Sequence, residues 1–556
     1  MRTSIRMMTA AAVAVMMAFT ANAVTVTVEA SGPGKVSPAG SVEVAAGKTL
    51  TLKATPNKDA VFVRWSNNER TPTRKVTPTG NMTCTAYFVL KSTCAAPAIS
   101  SFTASASNMV GMPYAAQVNI NSTAYPVKFS AKGLPKGLKI DANTGAVTGV
   151  PAEAKAYSVT FTAKSVANPA YPVATSTRTI SIAALPEKAQ GTFSGSAEIG
   201  MWRVRGAVTA TVSAKGKISV KAVTTTGTYT FSAPSWTSRS GSTYTLQAQT
   251  KKGDAAITLN VDSNAAWNYH ATATGTLVGG GSTYALYAQR NPFLDKNGTA
   301  YNTAVAELTA RYAGYYTVGL PYSSIPEQGP AIMGTGILPY GSGYLTLTVS
   351  DKGVVKAAGK MADGTSVSAS MPLWITAAEG RVYQYVPLYA KRGFASWTLM
   401  INKDNGTVSG YGDWSYPGKS PTAKVPLTGD HFRFLLNSLY GARYTPPPAG
   451  YTETIVCRVN GLGDFPFFGA SKGKYAFTGV LAPLFTGVAL ALNPKTGVFM
   501  GKIGIVDGGK KITLSHTGVR IQRTASPCGA GYITLPSHKY EAYNLKHSDP
   551  VQLRHP

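Results

Sequence analysis

The fold class of this chain is decided by the stretch Tyr344-Leu345-Thr346-Leu347-Thr348-Val349-Ser350-Asp351-Lys352-Gly353-Val354-Val355. Polar and apolar residues alternate up to the turn residues Asp351-Lys352-Gly353, as in a half-buried strand that enters a hairpin. A similar stretch, Val212-Ser213-Ala214-Lys215-Gly216-Lys217-Ile218, lies 137 residues earlier. The repetition predicts that strand-turn-strand units recur in the C-terminal part of the chain.

Alternation with period two continues toward the N-terminus, for example in Val24-Thr25-Val26-Thr27-Val28 and Ser158-Val159-Thr160-Phe161-Thr162. A second repeat relates Met400–Gly410 to Ala491–Gly501, at an offset of 91. These patterns predict an all-β chain of tandem small domains. One stretch is an exception, because His431–Tyr440, preceded by Asp430 and followed by Gly441, has the pattern of a short capped helix.

The composition excludes several classes of protein. The chain has 556 residues, of which only 14 % are charged, and Gly (56) and Pro (34) show no collagen period. This excludes a disordered polyampholyte, a coiled coil and collagen. A polytopic membrane protein is excluded as well, because the N-terminus alone contains a long apolar run.

The N-terminus has the three parts of a secretory signal peptide. Arg2 and Arg6 precede an uncharged run from Met7 to Phe19, and Ala21-Asn22-Ala23 forms an A-x-A cleavage site. We therefore predict a signal peptide over residues 1–23 and a mature chain 24–556 without a transmembrane segment. Export from a bacterial cell follows, to the cell surface or the medium.

Four cysteines, Cys84, Cys94, Cys457 and Cys528, lie in the exported part. An even number in an exported chain predicts two disulfides, and three pairings are open. We favour Cys84–Cys94 and Cys457–Cys528, because each pair falls within one predicted domain. The absence of C-x-x-C and of nearby histidines argues against a zinc site.

Residues 24–94 contain Gly47-Lys48-Thr49-Leu50-Thr51-Leu52, then Val61-Phe62-Val63-Arg64-Trp65, and finally Thr83-Cys84-Thr85-Ala86-Tyr87-Phe88. This order resembles the bacterial repeat related to the B-repeats of internalins. The resemblance implies a small β-grasp-like domain of exported and surface proteins, without catalysis. It also implies that Trp65 packs in the core.

Residues 95–185 contain Gly133-Leu134-Pro135-Lys136-Gly137-Leu138 and Thr144-Gly145-Ala146-Val147-Thr148-Gly149-Val150-Pro151. This signature resembles the immunoglobulin-like, cadherin-like domain, which implies a β-sandwich with Leu138, Ile140 and Val147 directed inward. Some relatives bind calcium at domain junctions, but this segment has only Asp141 and Glu153 as acids. We therefore predict no calcium site.

The remaining chain is divided at the breaks between repeats. We predict β-rich modules over 187–305 and 312–425, and a β-rich C-terminal module over 426–556. We expect these modules to be β-sandwiches or barrels.

No catalytic, metal or cofactor site is evident from the sequence. Gly469-Ala470-Ser471-Lys472-Gly473 satisfies G-x-S-x-G, but a strand is predicted after it where a nucleophile elbow needs a helix. The acids Asp404 and Asp413 could form a glycosidase pair, although turn chemistry explains Asp404. The six histidines form no array with metal-ligand spacing.

Four aromatic residues, Trp397, Tyr411, Trp414 and Tyr416, are interleaved with small residues near the second repeat. Such a stretch suits stacking on sugar rings, and the alternative is packing within the sandwich. These four are the candidate ligand-binding residues.

The formal net charge of +29 comes from 53 Lys+Arg against 24 Asp+Glu. The excess is +5 in 24–94, +5 in 95–186 and +17 in 187–556, so it is spread over every segment. Diffuse basic charge favours anionic surface polymers or polysaccharides in general and indicates no specific nucleic acid.

Three functions follow from the sequence. The first is an exported, non-catalytic protein for adhesion or binding at a bacterial surface. The second is a glycan-binding protein that uses its aromatic residues, and the third is a hydrolase whose site the sequence does not reveal. The ligand and the oligomeric state stay open.

Overall fold

The computed structural model describes residues 23–555 except 46, 95, 105–107, 122–125, 167–171, 201–202, 268–269, 292, 294–304, 322–340, 377–378, 389–392, 418–430, 460–461, 471–472, 508, 523–527 and 541–544. The predicted signal peptide lies outside the described residues apart from Ala23. Strands dominate the described part, which confirms the all-β prediction. The chain divides into two compact units, of which the first covers the described residues up to 183 apart from 110–113.

The first module of that unit consists of a mixed sheet in the order β3-β1-β7-β5 and a smaller sheet β2-β4-β6. Strand β1 pairs parallel to β7, and Trp65 is fully buried, as the resemblance implies. A 3₁₀ turn at Lys91–Thr93 ends the module. Its strands are β1 (Ala23–Ser31), β2 (Gly34–Ser37), β3 (Gly40–Ala45), β4 (Leu50–Pro56), β5 (Ala60–Trp65), β6 (Thr73–Val76) and β7 (Met82–Leu90).

The second module is a sandwich of the sheets β11-β12-β9-β8 and β10-β13-β14. Leu138 and Val147 are buried as predicted, while Ile140 is half-buried. Its strands are β8 (Ile99–Ala104), β9 (Tyr114–Ile120), β10 (Val127–Lys132), β11 (Leu138–Ile140), β12 (Ala146–Gly149), β13 (Ala156–Ser165) and β14 (Ala174–Ser181).

The second unit begins with a sheet that has nine strands among its described residues, here called the first large sheet. It follows a 3₁₀ turn at Glu187–Ala189. In chain order, the first strand of this sheet pairs with the second strand and also with the ninth. The fourth and fifth strands do not pair with each other, so they form the two edges of the sheet. The strands are β15 (Gly191–Glu198), β16 (Val204–Val212), β17 (Ile218–Thr224), β18 (Thr228–Ala233), β19 (Ser238–Ser240), β20 (Thr243–Gln249), β21 (Ala255–Trp267), β22 (His270–Gly279) and β23 (Ser282–Arg290).

The second large sheet has the same strand order and the same opening between its fourth and fifth strands. It follows a helical turn at Leu308–Tyr312. Its described strands are β24 (Gly314–Leu320), β25 (Gly343–Val349), β26 (Val354–Lys360), β27 (Ser366–Pro372), β28 (Trp374–Ile375), β29 (Glu379–Leu388), β30 (Gly393–Asn402), β31 (Thr407–Pro417) and β32 (His431–Arg443). The repeat at offset 137 therefore joins topologically equivalent hairpins, β16–β17 and β25–β26.

The C-terminal strands form a closed barrel, because β33 pairs with β34 and also with β40. Its described interior holds an apolar core that includes Phe467, Phe499 and Leu553. The strands are β33 (Thr452–Val459), β34 (Gly463–Ala470), β35 (Lys474–Phe477), β36 (Phe485–Leu492), β37 (Val498–Asp507), β38 (Lys510–Arg520), β39 (Gly529–Tyr540) and β40 (Leu545–Arg554).

The helix predicted over His431–Tyr440 is wrong, because these residues belong to strand β32. This strand pairs with β24 and β31, so the second large sheet extends past residue 425, where we placed a domain boundary. A bulge explains the error: Leu436 lies opposite Gly412 and Leu439 opposite Gly410. The extra residue lets two leucines three positions apart face one core, which imitates helical spacing.

Candidate functional site

The two large sheets pack against each other through the outward faces of β15–β16 and β29–β31. An ion pair joins them, with Arg205 Nη1 2.8 Å from Asp413 Oδ2. Ser396 Oγ donates a hydrogen bond to the Val204 carbonyl at 3.1 Å, and the Arg205 guanidinium lies 5.0 Å from the centre of the Phe394 ring. Strands β15 and β30 are therefore buried on both faces over much of their length.

A cavity of about 610 Å³ opens between these sheets, and we call it the interface cleft. It is within the range of small-molecule sites. The first large sheet supplies most of its described lining and β28–β29 supply the rest. The lining residues are Glu198, Gly200, Thr272, Thr274, Ala285, Tyr287, Ala288, Gln289, Trp374 and Tyr383.

Two hydrogen-bond acceptors stand out in the lining. Glu198, at the end of β15, is buried, and its Oε1 accepts a hydrogen bond from Ser196 Oγ at 2.7 Å. Gln289 Oε1 on β23 is buried and has no hydrogen-bond partner among the described residues. A buried acceptor without a partner is costly, and this amide oxygen has almost no surface that a molecule in the cleft could contact.

Aromatic rings form the walls of the cleft on both sides. The Trp374 and Tyr383 ring centres lie 4.3 Å apart, and the first large sheet contributes Tyr287, which is 48 % exposed. Burial raises the pKa of Tyr383, against the opposing effect of its hydrogen bond with Arg381. The phenol is therefore neutral at neutral pH.

The structure does not assemble the predicted aromatic site. Trp397 is 0 % and Trp414 1 % exposed, and both belong to the core of the second large sheet. Trp397 Nε1 donates a hydrogen bond to Gln384 Oε1 at 2.5 Å. Tyr411 is half-buried, and the side chain of Tyr416 lies outside the described residues. The tryptophans cannot stack on an external sugar, because their strands direct them inward.

Neither predicted disulfide forms in the structure, although all four cysteines are described. Cys84 and Leu90 are six residues apart along strand β7, a distance of about 20 Å. Cys94 lies at the Leu90 end, because its Sγ is 3.4 Å from the Leu90 carbonyl oxygen. Cys84 and Cys94 are therefore far apart. Cys457 and Cys528 lie on opposite sides of strand β40, each next to Leu553. Two strand spacings therefore separate these cysteines, a distance of about 10 Å. Both separations exceed the roughly 7 Å between Cα atoms that a disulfide spans.

Burial also disfavours the reactive form of these thiols. It raises the pKa of Cys84 and of Cys94, and it raises the pKa of Cys457 to about 12. Because the thiolate is the species that oxidises, the described geometry and the acidity of these thiols both oppose disulfide formation.

The other residues considered for catalysis or metal binding do not form a site among the described residues. Strands β34 and β35 pair as a hairpin around the G-x-S-x-G stretch, whose Ser471 lies outside the described residues. Asp404 is exposed in a turn and Asp413 is ion-paired with Arg205, so they form no catalytic pair. Among the described residues, no three His, Cys, Asp or Glu side chains are placed to hold a metal ion.

Sequence reasoning missed the interface cleft entirely. Its residues come from β15, β22, β23, β28 and β29, which are spread over almost two hundred positions. Trp374 stands in a strand of only two residues, too short for a periodicity. The outward face of β15 carries the polar residues Ser194, Ser196 and Glu198, a pattern that predicts exposure to solvent and gives no sign that another sheet covers it.

Comparison with known families assigns the N-terminal modules. Residues 24–92 match the model of the divergent InlB B-repeat domain, and residues 96–184 match the family described as "Putative Ig domain". Residues 24–184 therefore contain an InlB-type repeat followed by an immunoglobulin-like domain. Domains of these two kinds are commonly exposed at bacterial surfaces and are typically non-catalytic.

The two family matches end at residue 184. No curated protein matches the sequence significantly. The crystal structure of the isotype 1 transferrin binding protein B from serogroup B Neisseria meningitidis is similar at 12 % identity and a TM-score of 0.17. The match covers 78 % of this chain and 85 % of that chain. Within the described residues, no helix has the length and apolar character needed to cross a membrane.

Proposed function

We propose that this chain is an exported, non-catalytic protein that acts in adhesion or binding at a bacterial surface. The observation that carries the proposal is the pairing of an InlB-type repeat with an immunoglobulin-like domain at 24–184. The signal-peptide pattern of residues 1–23 supports the same location. The unit from residue 184 onward then provides the binding surfaces.

The interface cleft suits retention of a ligand better than catalysis. Glu198 is the one carboxylate in its described lining, whereas glycoside hydrolysis needs two. That described lining holds no histidine, cysteine or serine, so a Ser–His or Cys–His pair is not found among its described residues. Acceptors and aromatic walls are the groups that position a bound molecule.

The partner proposed for the protein as a whole is an anionic surface polymer, attracted by the diffuse basic charge. The glycan alternative loses its original support, because Trp397 and Trp414 lie in the core. Trp397 and Trp414 therefore provide no stacking platform for a polysaccharide.

Cell fractionation tests the proposed function. We expect the protein in the envelope or the medium, and we expect externally added protease to degrade the envelope-bound form in intact cells. A cytoplasmic enzyme measured in the same fractions controls for lysis. Replacing Ala21 and Ala23 by leucine should leave a longer, uncleaved precursor, whereas a cytoplasmic protein of unchanged size would refute the proposal.

A further inference from the structure

We propose that one loop of the C-terminal barrel binds a lipid surface with anionic headgroups. The loop connects β35 to β36 over residues 478–484, and we call it the apolar loop. Its sequence is Thr478-Gly479-Val480-Leu481-Ala482-Pro483-Leu484. This inference deepens the proposed function, on which it rests, by naming a partner surface and the residues that contact it. Three features of the loop carry it: exposed apolar side chains, a fixed base and basic neighbours.

The apolar loop exposes several apolar side chains next to one another. Val480 is 99 % and Leu484 50 % exposed, and Ala482 and Pro483 between them are exposed as well. Single exposed apolar residues are ordinary on a protein surface, whereas a contiguous set indicates contact with a partner or a membrane. A side chain as exposed as that of Val480 contributes almost nothing to the barrel core, so the core does not explain its apolar character.

Both ends of the apolar loop are held by neighbouring strands. The N–H of Thr478 donates a hydrogen bond to the Pro466 carbonyl oxygen on β34 at 3.0 Å. The Leu484 carbonyl oxygen accepts one from the N–H of Val506 on β37 at 2.9 Å. The residues between these two anchors therefore project from a fixed base.

The base of the apolar loop is aromatic. Phe477 precedes the loop and Phe485 follows it, and their ring centres lie 6.5 and 5.2 Å from that of Phe465 in the barrel core. This packing supports the loop, so its exposed side chains form a projection. Sites for small molecules are concave, whereas a projecting apolar segment beside basic residues is suited to the interface of a membrane.

The second large sheet contacts the barrel at the end opposite to the apolar loop. Tyr444 Oη donates a hydrogen bond to the Pro494 carbonyl at 2.9 Å, and Tyr315 Oη donates one to the Thr496 carbonyl at 3.1 Å. Residues 494 and 496 follow β36, whereas the apolar loop precedes it. The second large sheet therefore does not stand between the loop and a surface that approaches this end of the barrel.

Exposed lysines lie beside the apolar loop and favour anionic lipid. Lys510 and Lys511 begin strand β38, and neither forms an ion pair with a described residue. Lys511 lies opposite Val506, which bonds to Leu484, so two strand spacings, about 10 Å, separate Lys511 from the loop. The same hairpin contains one acid, Asp507, which leaves an excess of positive charge. Apolar insertion and attraction of lysines to anionic headgroups strengthen membrane binding together.

Co-sedimentation with vesicles tests the inference. The exported protein is used without residues 1–23, because their apolar run would bind lipid by itself. One set of vesicles contains phosphatidylcholine with about 30 % phosphatidylglycerol, and the other contains phosphatidylcholine alone. At a physiological salt concentration of about 0.15 M, we expect at least tenfold tighter binding to the anionic vesicles.

A loop variant separates apolar insertion from charge. Val480→Ser combined with Leu484→Ser removes exposed apolar groups, and we expect at least a tenfold loss of affinity for the anionic vesicles. Val278→Ser is the matched control, because Val278 is 50 % exposed on the first large sheet, and it should leave the affinity unchanged. The loop variant should elute from heparin together with the unmodified protein, since the loop carries no charge.

A lysine variant tests the basic neighbours. Lys510→Gln combined with Lys511→Gln should weaken binding to the anionic vesicles at least fivefold and leave binding to the neutral vesicles unchanged. Lys251→Gln combined with Lys252→Gln is the matched control, because it makes the same charge change in an exposed turn of the first large sheet. The control should change the affinity less than twofold.

Unchanged vesicle binding by the folded loop variant, checked by circular dichroism, would overturn the lipid contact. Equal losses from the two lysine pairs would overturn the role of Lys510 and Lys511. Association of the chain with itself without lipid, abolished in the loop variant, would assign the loop to a second copy and overturn the proposal. A surface-located protein that fails the vesicle tests would leave the proposed function intact, since fractionation accepts both envelope and medium.

Discussion

His516 lies in the C-terminal barrel beside Phe499, with ring centres 6.2 Å apart, and it is 3 % exposed. Burial lowers the pKa of His516 to about 4, although a hydrogen bond with the Ala489 backbone opposes this. Below pH 6.5 the unfolded chain takes up a proton at this residue and the folded chain does not. The contribution of neutral His516 to the unfolding free energy is therefore fully present above pH 6.5, and it is lost as the pH falls from 6.5 toward 4.

We expect the barrel to lose about 2 kcal/mol of unfolding free energy between pH 7 and pH 5 through His516 alone. Urea unfolding at the two pH values measures the loss. The variant His516→Gln cannot titrate in this range. Between pH 7 and pH 5 its unfolding free energy should therefore fall by about 2 kcal/mol less than that of the unmodified protein. An identical pH dependence in both proteins would show that His516 is charged or accessible in the native state.

The cysteines give a second prediction at the scale of single residues. Because all four are buried, a maleimide should label the native chain slowly. Four labels should appear after denaturation without reductant, counted by mass spectrometry. The exported location predicted from the sequence favours disulfides, whereas the structure keeps the four cysteines apart. The number of labels decides which of these two expectations is correct. Two or fewer labels would show that a disulfide forms and that the strands around Cys457 or Cys84 rearrange.

Single residues also show where sequence reasoning stops. The alternation in Tyr344–Val349 correctly predicts that Leu345, Leu347 and Val349 face a core, because a strand has only two faces. It does not tell which outward face is covered by another sheet. Trp414 illustrates a related limit, since an aromatic residue among small ones has the same sequence pattern in a core and in a binding site.

At the scale of elements, the repeat of hairpins was predictable and the bulge in β32 was not. The turn Asp351-Lys352-Gly353 recurs because a chain reversal needs a residue at positive φ, and Gly353 has φ 66°. The spacing of Leu436 and Leu439 depends on pairing with β31, a tertiary feature. The interface cleft was equally out of reach, because its walls belong to different sheets.

The β25–β26 turn allows a test of this packing. A methyl group on Gly353 would overlap the buried Phe293 ring, in addition to the strain of positive φ. We expect Gly353→Ala to reduce the unfolding free energy by about 2–4 kcal/mol, from strain and overpacking together.

Gly241→Ala is the matched control for that variant, because Gly241 has φ 57° and open space around its Cα. Its cost should be near 1 kcal/mol, the backbone term alone. Denaturant unfolding followed by tryptophan fluorescence compares the two variants. Equal losses would mean that Phe293 moves aside and that this contact does not hold the turn.

At the scale of the whole molecule, the interface cleft of the second unit forms because two similar sheets pack through their outer faces. Neither large sheet contains the interface cleft alone, since Glu198 and Tyr287 come from one and Trp374 and Tyr383 from the other. The ion pair between Arg205 and Asp413 and the hydrogen bond from Ser396 fix this packing. Repetition of a fold thus creates a cleft that no single repeat encodes.

The last prediction concerns the net charge of +29, which is spread over all segments. Binding to an anionic polymer should weaken steeply and continuously with salt, because it depends on the release of counterions. We expect retention on immobilised heparin at 50 mM NaCl and elution by about 500 mM, with dextran as the neutral control. Different polyanions of equal charge density should elute together, since the basic charge is spread along the chain and the sequence contains no run of five basic residues. Glu198→Gln should leave this elution unchanged, because its carboxylate faces the interface cleft. Retention at high salt, or its loss on one substitution, would mean that a localised anion site exists and that the charge is not merely diffuse.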